Sequence, residues 1–180
     1  MPRKLHIGGI QPHPDWEILN IQSGPNVDHV GDAGDMSQFE NETFDEIYSS
    51  HVVEHFDYKN DLLNTLKEWR RILKSDGKMY VSVPDMNTLC QLFIKRDELN
   101  IDERVQVMRM MFGGHMDDHD YHYVGLDADI LIGFLLQAGF KEIKRVENLG
   151  VFNDTSNMKF RGVPISLNLI ASKNGKKEES

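Results

Sequence analysis

Two stretches of this sequence concentrate side chains that can move protons or hold ions. Ser49-Ser50-His51-Val52-Val53-Glu54-His55 sets two imidazoles and a carboxylate within five residues. It follows directly on the apolar positions Phe44, Ile47 and Tyr48, so these groups stand beyond the carboxyl end of a strand, where an α/β sheet opens its crevice. A histidine there, with an ordinary pKa of about 6.5, can act as acid or base, and Glu54 can orient it. The second stretch, Gly113 to Tyr123, holds three histidines and three aspartates between His115 and His122. Imidazole with carboxylate suits zinc, iron or manganese, but the run has no H-x-x-x-H on a helix and no CxxC partner. It therefore reads as a polar loop with a glycine hinge, and no metal is assigned. Gly8-Gly9, directly after Leu5-His6-Ile7, reads as a turn in which the backbone can approach a cofactor.

The elements that must position these groups are legible from periodicity. Phe44–Ser49 reads as a strand. From Asn60 to Leu73 the residues Leu62, Leu63, Leu66, Trp69, Ile72 and Leu73 recur at helical spacing, with cations toward the end of the helix. Gly77 reads as the left-handed residue that closes this helix, and Met79, Val81 and Val83 alternate as a strand up to Pro84. Together they predict a βαβ unit. Further strands are expected at Leu5–Ile7, Trp16–Gln22, Val27–Val30, Lys141–Val146 and Ile165–Ser172, and helices at Met86–Lys95, Asp102–Phe112 and Asp127–Ala138, the last closed by Gly139. Alternating elements of this kind predict an α/β fold with a mostly parallel sheet covered on both faces. Between Gly8 and Trp16 there is no room for the usual crossover helix, and Pro12 and Pro14 oppose one, so the first helix is expected to be shortened or missing.

At 180 residues the chain suits one domain, read as 1–173 with a flexible tail at 174–180. Cys90 has no partner in the chain, and no secretory leader or run of 18 apolar residues is present, so a cytoplasmic protein is expected. A net charge of -9 argues against a nucleic-acid partner. Lys173, Lys176 and Lys177 read as a solvated basic end rather than a binding patch. Nothing in the sequence indicates the oligomeric state.

The stretch 44–85 resembles the second half of a class I S-adenosylmethionine-dependent methyltransferase, of the type 11-like kind, and the resemblance extends over roughly residues 4–172. It implies a Rossmann-type sheet and S-adenosylmethionine as cofactor. Gly8-Gly9 would then be the turn beside the methionine part, and Asp32 the residue near the adenine amino group. Gln22 would stand at the ribose hydroxyls, or Asn20 if the register shifts by two. Ser49 to His55, Ser50 and His51 included, would border the sulfur and the acceptor. His122 matches a histidine that precedes the last helix of the family. His51 or His122 would act as the base when the acceptor needs one, with Glu54 orienting it. The acidic charge favours a small-molecule or sugar-like acceptor, with no nucleic acid and no membrane as partner.

The sequence departs from the family at Ile10, where another glycine is usual, at the uncharged Gln22, and at the missing helix. These departures define the alternative, a methyltransferase-like domain that binds without catalysing. A metal-dependent hydrolase built on the His/Asp loop is a third reading.

Overall fold

The computed structural model describes residues 2–175; Lys176, Lys177 and the rest of the expected tail beyond 175 lie outside the described residues. The strands are β1 Lys4–Ile7, β2 Glu17–Asn20, β3 His29–Val30, β4 Phe44–Ser50, β5 Leu73–Pro84, β6 Lys141–Val146 and β9 Ser166–Ser172, with a small separate hairpin of β7 Lys159–Phe160 and β8 Val163–Pro164. The helices are α1 Asp61–Ile72, α2 Met86–Phe93, α3 Ile101–Phe112 and α4 Ala128–Gln137. The seven-stranded sheet runs in the order β3-β2-β1-β4-β5-β9-β6. Its first five strands pair in parallel, and β9 lies antiparallel between β5 and β6.

The main core lies on one side of this sheet. Leu5, Ile7, Ile47, Met79, Val81, Leu167 and Leu169 cluster there with Leu62, Leu66 and Trp69 of α1 and with Leu131 and Leu135 of α4, all essentially inaccessible. The side chains at 62, 66, 69 and 72 lie along one stripe of α1, which explains why this helix was evident from the sequence. The opposite face of the sheet is covered as well, though not by an α-helix. On the opposite face Trp16, Tyr48, Leu149 and Phe152 form a smaller aromatic cluster to which no helix contributes. A third cluster joins α2 and α3 to Ile165 and Phe160.

The missing first helix is part of a larger feature. Among the described residues no helix occurs between β1 and β2, between β2 and β3, or between β3 and β4. A helix satisfies its own backbone, whereas a loop must find its hydrogen bonds elsewhere. In the β3–β4 connection local turns supply some, the Asp35 amide to the Asp32 carbonyl and the Phe39 amide to the Met36 carbonyl, and α1 supplies others. Arg71 donates from Nη2 to the Met36 carbonyl at 2.8 Å, and from Nη1 to the Phe39 carbonyl at 2.9 Å and to Asn41 Oδ1 at 3.0 Å. Trp69 Nε1 donates to the Ala33 carbonyl at 2.8 Å. Met36 and Phe39 are buried between these ties.

Two further expectations change. The chain passes from α1 directly into extended β5 at Leu73, so Gly77 closes no helix and is not left-handed. Glycine is needed there because a Cβ would stand 2.9 Å from the Asp45 carbonyl oxygen and 2.7 Å from Leu73 Cγ, beside the irregular register between Phe44 and Glu46. Lys173 is not a solvated end. It is buried, and its Nζ donates to the Leu73 carbonyl at 2.7 Å and to Glu42 Oε1 at 3.2 Å.

Replacing Arg71 with Ala should lower unfolding stability by about 2–3 kcal/mol, because part-buried carbonyls lose a charged donor. Amide hydrogen exchange should accelerate over residues 33–41 while the centre of β5 stays protected. Uniform acceleration along the chain would show that Arg71 does not act on that connection in particular.

Candidate active site

The sheet changes direction between β1 and β4, and a cleft of about 420 Å³ opens near the carboxyl ends of these strands. Gly8, Leu19, Asn20, Asp32, Val52, His55, Phe56 and Tyr123 are among its walls. Gly8 has φ +76°, and a Cβ on it would come within 2.5 Å of Val52 Cγ2. Only glycine fits this wall without displacing Val52. Gly9 stands behind it, where a Cβ would strike the His6 ring. Its carbonyl accepts Asn20 Nδ2 at 3.1 Å, which ties the end of β2 to the turn after β1.

The residues singled out from the sequence divide into those on the cleft and those away from it. Asp32 lines it, with Oδ1 accepting the Gly34 amide at 2.7 Å. Gln22 is exposed in a neighbouring depression with Ile10 and Asn26, while Asn20 is on the cleft wall. The shifted register, with Asn20 in place of Gln22, is the one that meets the cleft. Ser50 also lies off the cleft and bonds Thr155 Oγ1 at 3.0 Å. Tyr123 and Phe56 are wall residues that the sequence did not single out, because aromatic residues next to polar loops carry no distinguishing pattern.

Behind the His55 wall is a buried polar cluster. Val53–His55 forms a short 3₁₀ turn after β4, and the Glu54 carbonyl accepts the Tyr123 amide at 2.9 Å. This brings His122 against the turn. His51 has φ 55°, and its amide donates to the Ser82 carbonyl at 2.9 Å. Glu54 is only 1% exposed, and neither carboxyl oxygen has a hydrogen-bond partner. His51 Nδ1 stands 3.6 Å and His122 Nε2 3.9 Å from Glu54 Oε1. The His55 and His122 rings meet edge to face at 4.9 Å, and His55 Nδ1 bonds the Tyr121 carbonyl at 3.0 Å.

Burial decides the protonation of this cluster. It pushes Glu54 up to about 8, so the carboxyl is protonated at neutral pH. Burial, reinforced by His122, lowers His51 to about 4; burial, reinforced by His55, lowers His122 to about 4. The contacts between Glu54 and its histidines are therefore close approaches of neutral groups at neutral pH. A histidine with so low a pKa is a weak base, which makes the role of base expected for His51 or His122 a poor match to their surroundings.

The rest of the His/Asp loop holds itself. His115 stacks on Tyr121 at 4.0 Å and bonds the Phe112 carbonyl, Asp117 accepts the His119 amide at 2.8 Å, and Asp120 accepts the Met116 amide at 3.1 Å. His122 alone of this loop's histidines joins Glu54 and His55, while Asp118 and His119 reach the cleft.

These shifts fix a pH profile of stability. Histidines lowered to about 4 remain neutral in the fold while their unfolded counterparts take up protons below about 6.5, so their contribution is lost as pH falls from about 6.5 to 4. Glu54 has the opposite sign: unfolded it ionises near 4.5, folded it keeps its proton to about 8, so stability declines as pH rises through that window. Above about 6.5 the histidine contribution is complete and no longer changes with pH, so only the Glu54 decline remains. Urea midpoints measured with a chelator present should fall from pH 6.5 to 8. Glu54→Gln should abolish that fall and keep the loss on the acid side. An unchanged slope in the variant would reject a buried, protonated Glu54.

The comparisons with known proteins bear on the fold. The family model described as a methyltransferase domain matches residues 13–81. No curated protein matches the sequence. Among solved structures, an S-adenosylmethionine-dependent methyltransferase from Archaeoglobus fulgidus is similar at TM-score 0.59 and 15% identity, covering 95% of this chain and 86% of that one. One from Thermotoga maritima is similar at TM-score 0.60 and 18% identity, with coverage of 97% and 83%. A third is 1,6-didemethyltoxoflavin-N1-methyltransferase from Burkholderia thailandensis, solved with 1,6-didemethyltoxoflavin and S-adenosylhomocysteine, at TM-score 0.57 and 13% identity, covering 97% and 72%. A methyltransferase-domain model thus matches residues 13–81, and the fold of the chain as a whole is that of class I S-adenosylmethionine-dependent methyltransferases.

Proposed function

We propose that the chain holds S-adenosylmethionine in the cleft between the ends of β1 to β4 and transfers its methyl group to a small-molecule acceptor. The observation that carries this reading is the cleft itself. It lies at the switch point of the sheet, with a side-chain-free wall at Gly8 and polar groups at Asn20 and Asp32. Asn20 has one donor and one acceptor engaged, by the Gly9 carbonyl and the Gln22 amide, which leaves one of each for a pair of ribose hydroxyls. Asp32 would take the adenine amino group. A neutral asparagine and the lack of a helix N-terminus at the Gly8 turn mean that shape and hydrogen bonds do most of the binding.

The sulfonium of the cofactor supplies the leaving-group activation. The chain's own work is to bring the acceptor atom within roughly 3–3.5 Å of the methyl carbon, in line with the breaking bond, and to exclude water. Tyr123 and the His119 segment sit over the cleft where such exclusion is needed. The net charge of -9 favours a small molecule over nucleic acid as acceptor. No helix of the described residues is long and apolar enough to cross a membrane, and we place the protein in the cytoplasm.

Calorimetric titration with S-adenosylmethionine and S-adenosylhomocysteine tests this reading. Both should bind, Asn20→Ala and Asp32→Ala should each weaken binding about tenfold, or about 1.4 kcal/mol, and Gln22→Ala should leave it unchanged. No binding of either ligand up to millimolar concentration would favour a non-catalytic binding domain.

A further inference from the structure

We propose that Glu54, His51, His55 and His122 form a site for one divalent transition-metal ion, set into the wall of the cofactor cleft. Glu54 supplies the first argument. A carboxyl group 1% exposed with both oxygens unpartnered is costly to bury, and a native fold that retains one leaves a place for something to bind it. The second argument is convergence. One ligand atom from each of Glu54, His55 and His122 falls within 4.8 Å of the others, and His51 Nδ1 lies 3.6 Å from Glu54 Oε1. Donors bound tetrahedrally at about 2.0–2.2 Å from zinc are roughly 3.4 Å apart, so small side-chain rotations close the site.

The surroundings are arranged as metal ligands require. A ligating imidazole is fixed by what its other nitrogen bonds. His55 Nδ1 is engaged by the Tyr121 carbonyl at 3.0 Å and His51 Nε2 by Ser166 Oγ at 3.0 Å, which leaves His55 Nε2 and His51 Nδ1 to donate. Three of the four ligands come from the single turn that ends β4. The fourth is held by the His122 amide on the Phe112 carbonyl and the Tyr123 amide on the Glu54 carbonyl. Three imidazoles and one carboxylate select zinc, cobalt or ferrous iron over magnesium or calcium, which prefer oxygen. The site is distinct from the metal reading of the loop alone, since His115 and His119 take no part in it.

Because His55 is both a ligand and a cleft wall, the ion would face the acceptor. Resting on the methyltransferase reading, an acceptor hydroxyl bound to the ion would lose its proton to solvent, and its oxygen would bond to the methyl carbon as the carbon–sulfur bond breaks and the electron pair leaves on the sulfur of S-adenosylhomocysteine. The binding site itself does not depend on that reading.

The test uses the whole chain, stripped with EDTA, dialysed, and titrated with Co²⁺ by visible absorption and with Zn²⁺ by calorimetry. One equivalent should bind, with the intense ligand-field bands of four- or five-coordinate cobalt, and Zn²⁺ should raise the thermal midpoint of the wild-type chain. Glu54→Gln and His122→Asn, each checked for native circular dichroism, should weaken binding by about 100-fold or more, while His29→Asn should not. Wild-type protein that binds no equivalent, or folded variants that bind as well as wild type, would overturn the site. Titration of the metal-free chain with S-adenosylmethionine separates the two proposals: cofactor binding without metal binding rejects this one alone.

Discussion

The amino-terminal half of this fold depends on the hold that α1 takes on the chain before it. Parallel strands need crossovers, and crossovers are normally helices that satisfy their own backbone groups. Three crossovers here have none, so their carbonyls must be satisfied from outside. Trp69 and Arg71 do this for the longest of them, reaching Ala33, Met36, Phe39 and Asn41 from the last turns of one helix. Because Asp32 adjoins that tied segment, the geometry of the cleft is set partly by a helix that lines none of it.

A second consequence of the missing helices concerns balance within the site. The turn after β1 is shaped by side-chain sterics and by the Asn20 tie to Gly9, with no helix dipole behind it. On the other flank of the same cleft, three histidines gather around the buried carboxyl of Glu54. One side presents a side-chain-free turn and an asparagine amide, and the other concentrates groups whose protonation is governed by burial.

How much of this was legible in the sequence followed from how strongly each segment repeats. The apolar stripe of α1 and the alternation of β5 predicted the βαβ unit, and the short proline-bearing link after Gly9 predicted a missing helix. The links after β2 and β3 also lack helices, and neither has a proline pair like Pro12 and Pro14 to announce it. Gly77 was misread because a glycine after a helix resembles a cap, whereas its reason lies in Asp45, which is distant in sequence. Gln22 and Asn20 differ only in where β2 ends, and a short strand leaves that open by two residues. Lys173 was misplaced for a related reason: the partners that hold it, Leu73 and Glu42, are contributed by remote segments. His51, Glu54 and His122 do converge. That they do so as a buried, largely neutral group depends on packing that periodicity does not report.

The reliance of the first strands on α1 also sets an order on the life of the chain as it is made. The ribosome releases β1, β2 and β3 well before residues 61–72, and β1 must wait for β4, whose pairing joins Leu5 to Ile47. Until α1 has emerged, the nascent segment around Met36 and Phe39 has apolar side chains without a core, and its carbonyls are bonded to water rather than to Trp69 and Arg71. Vectorial synthesis therefore leaves the half of the sheet that carries the Gly8 turn unfinished until the half that follows it has begun to fold.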